Sequence, residues 1–219
     1  MKPLFIVANW KERMDSAQAG KWLTQFSIFN FQFPNKEVII CPPFTLLSQV
    51  KQFIQDHQLP LKLGAQTISQ FAEGAHTGEE SGEMLKEFVE YVIIGHSERR
   101  ALGETDEILQ VKVNQALQFG LTPIYCVSSP TMSVPKDVTI VAYEPVSAIG
   151  SGQPDTPENA NEVATSIKQK FSFVQTVLYG GSVTAENVAV FTNQEQINGV
   201  LVGGASLDAN SFSSIIRNA

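Results

Sequence analysis

Cysteine and charge are both scarce in this chain, and each scarcity removes a class of explanation. Cys41 and Cys126 are the two cysteines in 219 residues. They are too few for a disulfide framework, and neither has the Cys or His neighbours that a zinc site requires. Two packed thiols in a reducing cytoplasm is the reading that remains. Charged residues make up 17% of the sequence against 43% hydrophobic, which predicts a compact protein with much of its surface against itself or a partner. The net charge of −7 argues against nucleic acid or an anionic membrane as partner. An anionic substrate would have to be drawn in by a local field. Long apolar runs are missing too: the N-terminal one, 4–8, is interrupted by Asn9 and Lys11 and is too short for a signal core or a membrane span. A soluble protein is expected. With no low-complexity tract, charge run or visible boundary, residues 1–219 read as a single domain.

What is present is a repeating alternation. Short strand-like runs occur at 4–8, 38–41, 61–65, 91–95, 122–127, 139–144, 176–180 and 200–203. Helix-like segments separate most of them. Asp15 or Ser16 caps one with Trp22, Leu23 and Phe26, and Thr45 opens one with Leu46, Leu47, Val50 and Ile54. Asp106 opens a third, closed by Gly120; Thr156-Pro157-Glu158 starts a fourth, and Thr184 and Asp208 begin two more. Eight strands alternating with helices predict a parallel sheet closed into a (β/α)8 barrel.

One unit is short. Residues 127–138 include Pro130 and Pro135 and cannot hold a crossover helix, so the helix after the fifth strand is expected to be shortened or missing. Alternation from Glu144 turns Ile140 and Ala142 inward, with Val141 and Tyr143 outward onto that bare flank. Neighbouring helices, the loop carrying Met132 and Val134, or another subunit would have to cover it.

The chain is organised around Ala142-Tyr143-Glu144-Pro145, where a strand ends on a carboxylate and proline stops the ladder. A small loop bounded by Gly150 and Gly152 follows. A general base beneath a lid made of Pro145, Val146, Ser147, Ala148, Ile149, Gly150, Ser151 and Gly152 is one reading, and a solvated Glu at a strand end is the other. Period-two counting places Asn9 and Lys11 at the mouth of the first strand, where a lysine also snorkels for purely structural reasons. His96 ends the fourth strand before Ser97-Glu98-Arg99-Arg100, which resembles a helix's first turn. The helix dipole there favours neutral imidazole. The last two strands end in Gly180-Gly181-Ser182 and Gly203-Gly204, whose backbone N–H groups suit a phosphate.

These motifs resemble the triosephosphate isomerase family. The resemblance rests on Asn9-Trp10-Lys11, residues 95–100 (Gly-His-Ser-Glu-Arg-Arg), 142–146, Ala148-Ile149-Gly150, 179–183 and 200–207. Gly64-Ala65-Gln66 and the stretch from Gly74 to Leu85 are similar to its third loop. It implies the TIM barrel and an enzyme interconverting dihydroxyacetone phosphate and D-glyceraldehyde 3-phosphate in glycolysis and gluconeogenesis. Glu144 would be the base, His96 the neutral electrophile and Lys11 the cation holding the dianion, the first two being the general example of pKa tuning that this enzyme provides. Asn9 and Glu98 would orient Lys11 and His96. Gly150, Ser182, Gly203 and Gly204 would bind phosphate, and 145–152 would close as a lid. No metal or cofactor is implied. The third loop, with Thr77, would reach a second subunit's site, making a cytoplasmic homodimer with higher assembly possible through the uncovered flank.

Three departures stand out: Ser147 where the family usually carries Trp, Ser128-Ser129 in place of Gly-Glu, and the absent helix. They keep two other readings open, a barrel that binds triose phosphates with little turnover and another phosphosugar enzyme on the same fold. His57 and His76 lack ligand-spaced partners, and Cys126 lacks a histidine to activate it.

Overall fold

Every strand is four to six residues long and buried on both faces, which is what a parallel sheet wrapped by helices demands. The computed structural model describes residues 3–29, 32, 34–145 and 153–219. Strands β1 (Leu4–Asn9), β2 (Lys36–Cys41), β3 (Lys62–Ala65), β4 (Tyr91–Ile94), β5 (Thr122–Val127), β6 (Ile140–Tyr143), β7 (Thr176–Tyr179) and β8 (Gly199–Val202) close in sequence order into a barrel. All pairs are parallel, and Phe5 opposite Gly199 joins β1 to β8. A Cβ on Gly199 would lie 2.0 Å from Phe5 O, so closure there requires glycine.

Alternation sorts the side chains into two layers. Phe5, Val7, Ile39, Ile93, Ile124, Ile140, Ala142, Leu178 and Leu201 fill the interior. Ile6, Ala8, Ile40, Val92, Ile94, Val141 and Tyr143 face the helices. Those helices are α1 (Ser16–Ser27), α2 (Leu47–Asp56), α3 (Gly82–Leu85), α4 (Ser97–Ala101), α5 (Asp106–Gln118), α6 (Pro157–Lys170), α7 (Val188–Thr192) and α8 (Ala209–Asn218).

Asp15 caps α1 in a reciprocal box with Gln18, Thr156 caps α6 and Asp208 caps α8, as expected. Three starts differ. Thr45 lies inside a 3-10 turn, Phe44–Leu46, and α2 follows it without a side-chain cap. Thr105, not Asp106, caps α5. Thr184 lies in a turn closed by its N–H to Asn187 Oδ1, so α7 begins only at Val188.

Between β5 and β6 no helix forms. The outward Tyr125, Val127, Val141 and Tyr143 are nonetheless 5% exposed or less. Val134 and Val138 are buried with them, and Met132 packs alongside. The Met132 sulfur accepts from Ser128 N–H and Oγ, and Lys170 at the end of α6 donates to Thr131 O. The guanidinium of Arg100 covers the Tyr125 ring at 5.6 Å. The flank is thus closed by its own loop and neighbours, two of the three covers the sequence left open. Among the described residues no helix is long and apolar enough to cross a membrane.

Candidate active site

The C-terminal ends of β1, β4, β6, β7 and β8 converge on a cleft of about 250 Å³ lined by Asn9, Lys11, His96, Glu144, Gly180–Thr184 and Gly203–Ala205. The sequence spreads these residues over almost its whole length; barrel closure brings them to one rim.

Lys11 sits in the left-handed region, φ 52°, which a non-glycine residue occupies at a cost of roughly 1 kcal/mol. Side chains hold the peptides on both sides. Its N–H donates to Asn9 Oδ1 at 3.0 Å, and its C=O accepts from Gln66 Nε2 at 2.9 Å. The ammonium then donates to Glu98 Oε1 at 2.8 Å. Gly203 lies beneath the stem, where a Cβ would stand 3.4 Å from Lys11 Cε.

His96 is the N-cap of α4, and its Nδ1 accepts from the Glu98 N–H at 3.2 Å. An acceptor at Nδ1 puts the ring proton of the neutral imidazole on Nε2, facing the cleft. Burial lowers its pKa to about 4; the Lys11 charge adds to this and the Glu98 carboxylate opposes it. The neutral form expected from a helix dipole is therefore present, with burial as its main cause. Glu98 serves His96 through its backbone, since its carboxylate is 3.7 Å from Nδ1. Burial also acts to raise the Glu98 carboxyl, but the hydrogen bond and charge of Lys11 outweigh it and hold it below the usual range.

Glu144 is 2% exposed, which excludes the solvated strand-end reading. Burial raises its pKa to about 7, against the Ser97 N–H, the Lys11 charge and the Cys126 thiol, which favour the carboxylate. Oε2 accepts from Ser97 N–H at 3.1 Å, and Oε1 stands 3.2 Å from His96 Nε2. The Cys126 thiol is pushed well up by burial, then by Glu144, so it is a packed donor and no nucleophile.

Gly180, Gly181 and Ser182 form one wall of the cleft, with Gly203 and Gly204 on another. Pro145 is buried beside the base; Val146, Ser147, Ala148, Ile149, Gly150, Ser151 and Gly152 lie outside the described residues. Thr77 is exposed and does not line the cleft. His57 and His76 stack on Phe53 and Phe71 with ring centroids 3.9 and 4.2 Å apart.

Sequence reasoning missed Ser97, whose contribution is a main-chain N–H that any residue but proline supplies. It placed Gly180 at the phosphate and missed its second role, making room for the base: a Cβ there would lie 2.9 Å from Glu144 Cγ. The bracing role of Gln66 has no local signal, because its partners lie 55 and 25 residues away.

Residues 4–219 match the profile of the family described as triosephosphate isomerase. The chain belongs to the triosephosphate isomerase family. A triosephosphate isomerase of Dictyoglomus turgidum is 38% identical, covering all of both chains. That of Shewanella denitrificans is 38% identical over 96% of this chain and 95% of its own. That of Aquifex aeolicus is 38% identical over 96% and 97%. The barrel and the enzyme class expected from the motifs are those of the triosephosphate isomerase family.

Proposed function

We propose that this chain is a cytoplasmic isomerase of glycolysis and gluconeogenesis, interconverting dihydroxyacetone phosphate and D-glyceraldehyde 3-phosphate through an enediolate. The observation that carries the reading is the meeting of Glu144, titrating at about 7, with a neutral His96 and the Lys11 ammonium around one cleft. A base poised near neutrality removes the proton from the carbon beside the carbonyl and returns it to the neighbouring carbon. The Nε2 proton of His96 supports the developing charge on the two oxygens, and a neutral donor does so without trapping the intermediate as a tight ion pair. Lys11, released from Glu98 or shared with it, neutralises the dianion and supplies the local positive field that a chain of net charge −7 otherwise lacks. Ser182, Gly203, Gly204 and Gly150 take the phosphate, and 145–152 closes over it. Protons alone move, so no cofactor has a role.

The reading includes a homodimer. A second cleft of about 270 Å³ opens beside Lys11, lined by Phe44, Gln66, Thr67, Glu98, Arg99 and Leu102. Leu102 is 77% exposed, and Phe71 and Met84 are exposed apolar residues on either side of Thr77 in the chain. A second copy's Thr77 loop would fill that cleft and cover Leu102. Solution mass measures this directly: twice the chain mass is expected.

A coupled assay on purified protein tests the activity. Both triose phosphates are expected to interconvert, and Glu144→Asp, which withdraws the carboxylate by about 1 Å, is expected to lower kcat about 100-fold. Binding of a phosphate ester with no turnover would replace this reading with the binding barrel.

A further inference from the structure

Asp155 lies outside the cleft and outside every motif of the family resemblance, yet it joins the ends of β6 and β7, which carry the site, to the start of α6. Its Oδ2 accepts from the Tyr143 hydroxyl at 3.1 Å and from Asn159 Nδ2 at 2.7 Å. Its Oδ1 accepts from Thr156 N–H at 2.8 Å, and its own N–H donates to the Tyr179 hydroxyl at 2.8 Å. Tyr143 and Tyr179 are the last residues of β6 and β7, both nearly fully buried. Tyr179 stacks on Phe191 at 3.9 Å and touches Gly181, where a Cβ would lie 2.2 Å from its hydroxyl.

The peptide between Tyr143 and Glu144 is where this network meets the base. Its C=O accepts from Gly180 N–H at 2.8 Å, and its N–H donates to Val127 O at 2.8 Å. The Tyr143 ring hangs on one side of that peptide and Glu144 projects from the other.

We propose that Asp155 is a positioning residue for the base: through the Tyr143 hydroxyl it sets the orientation of the peptide from which Glu144 projects. The inference rests on the isomerase reading and adds to it a residue that touches neither substrate nor reacting atoms. The backbone link to Tyr179 survives replacement of the Asp155 side chain, so the effect falls on the base and spares the phosphate wall. Turnover drops while affinity for the phosphate ester stays.

The test is steady-state kinetics of Asp155→Ala, Asp155→Asn, Tyr143→Phe and the double variant Asp155→Ala/Tyr143→Phe. About a tenfold loss of kcat is expected in Asp155→Ala and in Tyr143→Phe, with KM within about twofold of the parent. The double variant should lose no more than about the worse single, because both remove one contact. Asp155→Asn has one acceptor oxygen for the Tyr143, Asn159 and Thr156 donors that the carboxylate serves with two, so kcat should fall between the parent and Asp155→Ala. An active parent with Asp155→Ala unchanged in kcat overturns the inference, as does a double variant whose losses multiply, or a rise in KM alone. Should Asp155→Ala not fold, Tyr143→Phe reads the same contact from its other end, and an unchanged kcat there overturns the inference. A parent chain without isomerase activity overturns the isomerase reading, and this inference with it.

Discussion

His96 Nε2 lies 3.2 Å from Glu144 Oε1, and across that gap the ordinary order of titration is inverted. An unperturbed histidine titrates at about 6.5 and a glutamate at about 4.3. Here His96 titrates at about 4 and Glu144 at about 7. Burial explains both directions, because it penalises whichever form is charged, imidazolium in one group and carboxylate in the other. Above the Glu144 value the pair becomes a carboxylate beside a neutral N–H donor, the state in which a base and an electrophile work together.

Ser97→Pro tests the N–H that holds this carboxylate. Ser97 is the first residue of α4, where a missing N–H costs the helix nothing. His96 before it already has φ −49° and ψ 141°, the extended conformation proline imposes on its predecessor. Proline also puts Cδ where that N–H pointed, about 1.5 Å from N, so Oε2 must move away and kcat falls at every pH. The lost hydrogen bond favoured the ionised form, so the Glu144 pKa should also rise further. The acid limb of kcat/KM moves to higher pH, and the rate falls several-fold more at about pH 6 than at about pH 9. The substrate's own phosphate titration, near pH 6, stays in place as an internal reference.

Glu144→Gln should stabilise the fold at alkaline pH. The folded-state pKa of Glu144 is raised, so folding favours its protonated form. That contribution is complete below about pH 4.3 and is lost as pH climbs through about 7. Glutamine carries no charge to bury at any pH. Thermal melts should therefore show the variant ahead by roughly 3–4 kcal/mol at about pH 8, or several degrees in Tm, with little difference at about pH 4.

Gly180→Ala should cut activity sharply and leave the fold. The added methyl would lie 2.9 Å from Glu144 Cγ and 3.3 Å from Tyr143 O. Strand backbone does not yield, so the carboxylate side chain must, and a shift near 1 Å is expected to lower kcat about 100-fold. Circular dichroism and Tm should change little by comparison.

Glu104→Ala is a stability test remote from the chemistry. Glu104 Oε1 accepts from buried Lys112 Nζ and from Arg99 Nε, both at 2.7 Å. Truncation leaves the Lys112 ammonium buried with only Thr67 Oγ1 as partner. Stranding a buried charge costs about 3–5 kcal/mol, so Tm should fall by roughly 10 °C.

Much of this was legible before any coordinates. Strand order, the missing fifth helix and the placement of Asn9, Lys11, His96 and Glu144 at strand ends all follow from period-two alternation and from proline and glycine positions. Helix starts were less legible. Thr45 and Thr184 have the right side chains for caps, but Thr45 sits in a 3-10 turn and Thr184 in a turn tied to Asn187, so packing decided where each helix begins.

Residue type and spacing determined which groups this protein has available: a strand-end carboxylate, a strand-end imidazole, a lysine and two glycine pairs. Those are properties of neighbours in the chain, and short-range rules read them. The barrel's closure decided how the groups behave. It buried Glu144 and His96 and so inverted their titration, brought Ser97 N–H to the carboxylate, and set Asp155 against Tyr143. Desolvation and main-chain contacts between distant segments have no signature in a linear sequence, because they exist only once the strands stand side by side.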